Sequence, residues 1–417
     1  MKVFKFGGAS VKDAVSIKNV SSLLKRFPGE SIIVVVSAMG KITNALETLA
    51  DAFFFQKGNP KKIFEEIKKY HFDIIIALFP DPSHFVYQDL QNTFAELEKN
   101  ISRAPSDSYN KEYDQIVSTG EIISTKIVSA YLNLDGVKNK WVDVREVIKT
   151  DATYREGKVN WELTEQLSTS LLKENGIYVT QGFLGGTPDN FTTTLGREGS
   201  DYTAAITAYC TNAESVTIWK DVPGVMNADP KWFDETKLID QMSYQDAIDL
   251  SYYGATVIHP KTIKPLQNKK IPLYVKSFIH PGEKGTVIND QQSTLPVPCF
   301  IVKVNQILLS ISPKDFSFIV EENFSDIFKI FSEHTIKINT MQNSAISFSV
   351  CVDNDQRKIS NLIPKLKENY RVLYNENLEL ITIRYYDQST IDRVCIGKKV
   401  FMEHKSRYTV QLVVKNL

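Results

Sequence analysis

Hydrophobic and polar positions along the first 285 residues alternate between short, mostly apolar runs and longer amphipathic stretches. Val3–Phe6 and Ile32–Val36 are two of the apolar runs, the second being five β-branched residues in a row; Ile177–Thr180, Val216–Trp219 and Leu273–Val275 follow the same rule. A run apolar at nearly every position predicts a strand covered on both faces, and strands of this kind separated by helical patterns predict a mostly parallel sheet between two helical layers. From about Lys57 to Glu112 the chain is rich in Lys, Glu and aromatic residues with helical spacing. This predicts a helical lobe, about residues 50–115, beside the sheet. Turn formers cluster at Pro281-Gly282-Glu283-Lys284-Gly285, and Pro296 and Pro298 follow. Beyond them the pattern becomes β-α-β-β-α-β, with strands at Ile307–Ile311, Ile346–Val352 and Leu378–Tyr385, helices at Asp326–Glu333 and Ile359–Asn369, and a last strand at Tyr408–Val414. That succession predicts an α+β, ferredoxin-like region. The expected division is 1–285 for an α/β domain, 299–376 for a first ferredoxin-like unit and 377–417 for a second, shorter one.

Composition narrows the function classes. The 417 residues carry 49 basic and 49 acidic side chains, and this balance argues against a nucleic-acid or anionic-membrane partner. No apolar run approaches the ~18 residues that span a bilayer, so a cytoplasmic protein is expected. The four cysteines are far apart in sequence, and neither they nor the six histidines form a metal-ligand spacing.

Chemistry concentrates where strands meet loops. Lys5-Phe6-Gly7-Gly8-Ala9-Ser10 joins a strand to a helix start, where two glycines permit close approach and free N–H groups favour an anion. An ordinary strand-to-helix turn with a solvated lysine fits the same residues. Ser37-Ala38-Met39-Gly40, with Thr43 after it, ends the second strand, where α/β sheets bind ligands and where a helix cap would look the same. Glu121, in Ser118-Thr119-Gly120-Glu121, is either a dipole-stabilised cap or a partner for a ligand ammonium. Thr194-Leu195-Gly196-Arg197-Glu198-Gly199-Ser200-Asp201 sets one arginine fork among glycines at a helix start, a grip suited to carboxylate or phosphate. Trp219-Lys220-Asp221-Val222-Pro223-Gly224 and Asn227-Ala228-Asp229-Pro230-Lys231 follow a buried strand and read equally well as turns.

Taken in order, these segments resemble the aspartate kinases of the amino-acid kinase family. The family's Lys-Phe-Gly-Gly-Thr-Ser start is matched with Ala9 for threonine. Its Gly-Arg-Gly-Gly-Ser-Asp loop is matched at 196–201, and Trp219–Gly224 and Gly254–Pro260 look like two further motifs. The C-terminal region resembles a pair of ACT domains. The resemblance implies a three-layer amino-acid kinase fold and transfer of phosphate from ATP, with Mg²⁺, to the side-chain carboxylate of L-aspartate. It places Lys5, Gly7, Gly8 and Ser10 at the phosphates, with Asp201 orienting Lys5 or lying near the metal. Arg197 falls at the α-carboxylate and Glu121 at the ammonium, with Ser37, Thr43 and Ser200 completing the pocket. Lys220, Asp221, Asn227 and Lys231 fall at ATP. Thr256 stands where many relatives carry a nucleotide lysine, and Lys261 or Lys231 is expected to replace it. A lysine or threonine effector would meet Asn339, Asn343, Ser344 and Ile346 at a homodimer contact between ACT domains, although Ala345 stands where some lysine-sensitive relatives are acidic. Two alternatives stay open on the residues alone: a kinase of this fold with another acceptor, such as glutamate, N-acetylglutamate or UMP, and a non-catalytic amino-acid sensor.

Overall fold

The computed structural model describes every residue except 173, 256–257, 292–296 and 316. The Thr256 position therefore lies outside the described residues. Compact packing divides the chain into two units. The first comprises Met1–Val225, Leu238–Ile248 and Val257–Ser293, and the second Met226–Lys237, Asp249–Thr256 and Thr294–Leu417. Segments 226–237 and 249–256, expected in the α/β domain because they precede residue 285, group instead with the C-terminal unit.

The first unit is built on strands β1 (Lys2–Phe6), β2 (Ile32–Val36), β3 (Asn139–Val142) and β4 (Ile177–Gln181), a small hairpin of β5 (Leu184–Gly186) and β6 (Thr192–Thr194), and then β7 (Ser215–Lys220), β8 (Gln241–Ser243), β9 (Leu273–Ser277) and β10 (Thr286–Asn289). The main sheet has the order β3-β4-β2-β1-β7-β9-β10-β8. Every pairing in it is parallel except β9 with β10. The expected α/β class with a mostly parallel sheet is what the chain adopts.

Side chains alternate across β1, and this decides where Lys5 goes. Phe4 and Phe6 enter a core shared with Ile17, Val20 and Leu23 and with the lobe residues Phe64, Ile75 and Phe94. The lobe is three helices, Pro60–Leu78, Phe85–Ser102 and Tyr109–Val117. Its apolar face continues the main core rather than forming a separate one. Lys5 points to the opposite face, covered by the helix Gly199–Cys210, whose inward positions Ala204, Ala205 and Ala208 are small and fully buried. Strand order reverses at β1: the chain crosses first to β2 on one side and later to β7 on the other. The crevice beyond the carboxyl ends of β1, β2, β4 and β7 is the topological switch point, where open α/β sheets bind ligands.

The second unit holds β11 (Cys299–Pro313), β12 (Ile338–Asn343), β13 (Phe348–Asp353), β14 (Tyr370–Arg384), β15 (Lys398–Lys405) and β16 (Thr409–Asn416), in an antiparallel sheet ordered β12-β13-β11-β14-β16-β15. The boundary placed at 376/377 falls inside a strand. β11 and β14 run through both halves, with register shifts at Lys303/Gln306 and Gln306/Leu308. Asn305 and Asn377, both in the left-handed region, mark the change on each strand. After the shift, Ile307, Leu309 and Ile311 pack with Val372 and the helices Glu321–Glu333 and Gln356–Asn369. Before it, Phe300 packs with Ile381, Ile383, Ile391 and Val410. The second half therefore takes one strand from Cys299–Lys303, and among the described residues it holds one helix, Gln388–Cys395, where the first half holds two. Asn339, expected to face an effector, is buried and fully engaged: its amide donates to Gln306 and Asp353, both at 2.9 Å, and its carbonyl accepts from Lys303 at 2.9 Å. Asn343, Ser344 and Ile346 are exposed, with the Ser344 hydroxyl turned onto Ser347 at 2.8 Å. Among the described residues no helix is long and apolar enough to cross a membrane, and no His/Cys/Asp/Glu group could hold a metal by itself.

Candidate active site

The carboxyl end of β1 turns at Gly7-Gly8 into a short 3-10 helix, Gly8–Val11. The N–H of Gly40 donates to the carbonyl of Gly8 at 3.0 Å, so the turns after β1 and β2 are tied together. A Cβ on Gly8 would lie 2.7 Å from the Gly40 carbonyl oxygen and 2.8 Å from that of Ala38. Both neighbours are backbone, so only glycine lets these turns meet. Ser10 is buried behind them.

Lys5 Nζ reaches the same turn: a Cβ on Gly7 would sit 3.4 Å from it. The ammonium lies 2.6 Å from Asp201 Oδ1, an ion pair off the hydrogen-bond line, with side chains only 11% and 4% exposed. Asp201 stands in the first turn of the Gly199–Cys210 helix, where the helix dipole favours a negative charge. The turn into that helix needs two left-handed residues, Gly196 at φ 78° and Glu198 at φ 53°. The helix start then packs against the end of β4 because residue 182 has no side chain; a Cβ there would be 2.5 Å from that of Ser200.

A cavity of about 910 Å³ opens over this arrangement, within the first unit. Of the residues expected from sequence, it is lined by Lys5, Ser37, Thr43, Glu121, Arg197, Ser200, Asp201 and Lys220. Glu121 is 2% exposed. Its Oε1 accepts from the Ala38 N–H at 3.3 Å, while Oε2 is buried with no hydrogen-bond partner. Burial without a compensating cation pushes its carboxyl up from 4.5 to about 8. A buried carboxylate oxygen aimed at a cavity and lacking a donor is a place for a ligand cation.

Other expected residues are placed elsewhere. Asp221 is exposed on the turn after β7. Lys261 lines a separate cavity of about 610 Å³ beside Gly157 and Trp161, although its Nζ would lie 3.6 Å from a Cβ on Gly196. Asn227 and Lys231 belong to the second unit. There the Asn227 side chain is occupied, accepting from the Lys237 N–H at 2.7 Å and donating to the Pro298 carbonyl at 3.0 Å. His259 caps the helix Pro260–Lys269 with Nδ1, the structural role a lone histidine before a proline most often has.

Sequence reasoning missed Glu47, Tyr113, Arg155 and Glu198, all of which line the large cavity, and Asp114 behind it. Asp114 is fully buried and holds Thr194 through both its N–H (3.0 Å) and its hydroxyl (2.8 Å). A carboxylate among the apolar positions of a helix was a readable signal for Asp114. Glu198, which stands in place of a family glycine, was readable from its loop. Arg155 sits in a polar loop without a motif and becomes visible only in three dimensions.

The amino acid kinase family model matches residues 1–277. The lysine-sensitive aspartokinase 3 of Escherichia coli strain K12 is 30% identical over 413 residues, covering 96% of this chain and 90% of that protein. The chloroplastic aspartokinase 1 of Arabidopsis thaliana is 32% identical over 369 residues, 84% of this chain and 63% of its own length. The crystal structure of E. coli aspartokinase III in complex with lysine and aspartate superposes with a TM-score of 0.84 at 26% identity, covering 99% of this chain and 95% of that one. The same enzyme with aspartate and ADP gives 0.82. With its parallel-sheet domain, switch-point cavity and antiparallel C-terminal unit, this chain belongs to the amino acid kinase family, among the aspartokinases.

Proposed function

We propose that the chain transfers the γ-phosphoryl group of ATP to the side-chain carboxylate of L-aspartate, giving ADP and 4-phospho-L-aspartate, at the cavity over β1. The observation that carries this reading is Glu121 Oε2, a buried acceptor without a donor, in the same cavity as Arg197 and the Lys5–Asp201 pair. A free amino acid brings one ammonium for Glu121 and one carboxylate for Arg197. N-acetylglutamate and UMP bring no ammonium and would leave Glu121 unpartnered.

The reaction asks little proton chemistry of the protein. A carboxylate with a pKa near 4 is already ionised at neutral pH. One of its oxygens attacks the γ-phosphorus, the bond from that phosphorus to the β,γ-bridging oxygen breaks, and ADP leaves with that electron pair. No general base is required, in keeping with the lack of any histidine on the cavity wall among the described residues. The demand is to hold two anions together. In this reading Lys5 and the Gly7-Gly8 turn hold the transferred phosphate, Ser10 supports the turn from behind with its N–H donating to the Gly7 carbonyl at 2.9 Å, and Asp201 fixes the Lys5 ammonium. Lys220 lines the same wall.

The donor set also fits Mg²⁺ bound chiefly through nucleotide phosphates. Glu198 Oε2, buried and without a hydrogen-bond partner, lines the cavity, as does Asp201, whose Oδ1 is ion-paired with Lys5. The metal would supply charge neutralisation of the phosphates. The C-terminal unit is read as an ACT pair that joins two copies of the chain and binds lysine or threonine near Asn343, Ser344 and Ile346. This activity supplies an acyl phosphate, a species that a reductive step can consume. Turnover of ATP with L-aspartate and with N-acetyl-L-aspartate tests the acceptor. Equal rates with both would sink the assignment of Glu121 and with it this reading.

A further inference from the structure

Loop 151–158 forms part of the cavity wall, and it is built as a rigid element. Asp151 Oδ1 accepts from the N–H groups of Thr153 and Lys158, both at 3.0 Å, and the Asp151 N–H donates to the Lys158 carbonyl at 3.0 Å. The Gly157 N–H donates to Thr194 at 2.9 Å, which joins the loop to β6. At its crest Arg155 adopts φ 68°, a left-handed conformation that costs an L-residue about 1 kcal/mol. The compensation is visible: the Arg155 N–H donates to Asp114 Oδ2 at 2.9 Å. The same buried carboxylate holds Thr194, two residues before the Gly196-Arg197 turn. One carboxylate thus fixes both arginine-bearing loops of the cavity.

The side chain that this backbone presents is equally constrained. The Arg155 guanidinium lies 4.2 Å from the centroid of the Tyr113 ring. Tyr113 is itself fixed by its hydroxyl, which donates to Glu47. At that distance the ring holds the guanidinium by a cation–π contact. Among the described residues no carboxylate lies within ion-pair distance of Arg155 or of Arg197, and both line the cavity. The wall therefore offers two guanidinium groups without carboxylate partners and one buried carboxylate oxygen without a donor. A dicarboxylic amino acid brings the complement: two carboxylates and one ammonium.

We propose that Arg155 is an acceptor-binding, specificity-determining residue that takes the distal, reacting carboxylate, with Arg197 on the α-carboxylate. It pairs with one carboxylate oxygen and leaves the other free to attack phosphorus. Its charge also offsets the repulsion between that carboxylate and the incoming phosphate. This inference rests on the aspartate-kinase reading. It explains selection for a second negative charge, which neither Arg197 nor Glu121 can supply.

The test compares the full-length chain with Arg155→Met and Arg155→Lys. Calorimetry without nucleotide measures binding of L-aspartate and of L-asparagine, a near-isostere whose distal group is an uncharged carboxamide. Arg155→Met is expected to weaken aspartate at least tenfold and asparagine less than twofold. Arg155→Lys should recover part of the loss, and the KM for ATP should stay within twofold. Unchanged aspartate affinity in Arg155→Met would overturn the inference. So would an equal loss for both ligands, which would place the contact at the α-carboxylate or report collapse of the loop. Aspartate turnover by the unmodified chain is measured separately. Turnover there with unaltered binding in Arg155→Met defeats this inference alone, whereas absence of turnover defeats the functional reading beneath it.

Discussion

Replacing Glu121 by glutamine removes a charge while keeping size and shape, and it isolates the feature that most distinguishes this cavity. The carboxyl is raised from 4.5 to about 8, first by burial and against the one hydrogen bond from Ala38. In the folded, ligand-free protein it therefore keeps a proton that the unfolded chain has released. The stabilising contribution is full below pH 4.5 and is lost as pH rises through about 8. At 1.36 kcal/mol per unit, that gap corresponds to at most about 5 kcal/mol. Urea-unfolding free energies of the unmodified chain should fall with rising pH across this window relative to Glu121→Gln. Aspartate should reverse the trend, because its ammonium stabilises the ionised form. Binding at neutral pH should then release a proton, visible as a calorimetric enthalpy that changes with the buffer. Glu121→Gln should release none and should bind aspartate at least a hundredfold more weakly. Parallel stability curves for the two proteins, or equal proton release, would refute the reasoning.

Two further outcomes follow from single positions. Gly8→Ala pushes a methyl against the carbonyls of Gly40 and Ala38, so the turns after β1 and β2 must separate; overpacking of this kind costs about 1–3 kcal/mol. Steady-state kinetics should show at least a tenfold loss in kcat/KM for ATP, and kinetics matching the unmodified chain would contradict the phosphate role of this turn. His71 is fully buried in the lobe, bonded through Nδ1 to the Ile67 carbonyl at 2.8 Å and with no partner for Nε2. Burial lowers its pKa from 6.5 to about 4, so the fold excludes a proton that the unfolded chain takes up, and stability is lost as pH falls through that window. The loss is roughly 3 kcal/mol, measurable as denaturant midpoints at pH 7 and pH 4.5, and His71→Leu should abolish that component.

Much of the fold was legible because its signals are local. Five β-branched residues at Ile32–Val36 have few alternatives to a buried strand, and Lys5 among apolar neighbours marked a strand with a charged end. What sequence hid depends on distant partners. β6 is three threonines whose strand character comes from pairing with Leu184–Gly186. The two halves of the C-terminal unit exchange strands because β11 pairs with β14 over nearly its whole length, which no periodicity within 377–417 can reveal. The candidate site divides in the same way. Residues at strand ends and helix starts, such as Lys5, Glu121, Arg197 and Asp201, announced themselves by their surroundings. Arg155 became readable only once Asp114, on another element, was seen to fix its backbone, and Asn339 lost its expected role once its three hydrogen bonds were in view.

The central claim is that a side-chain carboxylate receives the phosphate. Incubation of the purified chain with ATP, Mg²⁺, L-aspartate and hydroxylamine tests it directly, because hydroxylamine converts an acyl phosphate into a coloured hydroxamate. The account predicts aspartyl hydroxamate in proportion to ADP, with L-aspartate preferred over glutamate and N-acetylglutamate. In the same assay, added lysine or threonine should reduce the yield if the C-terminal unit senses either. ADP release without hydroxamate, or no turnover with L-aspartate at all, would contradict it.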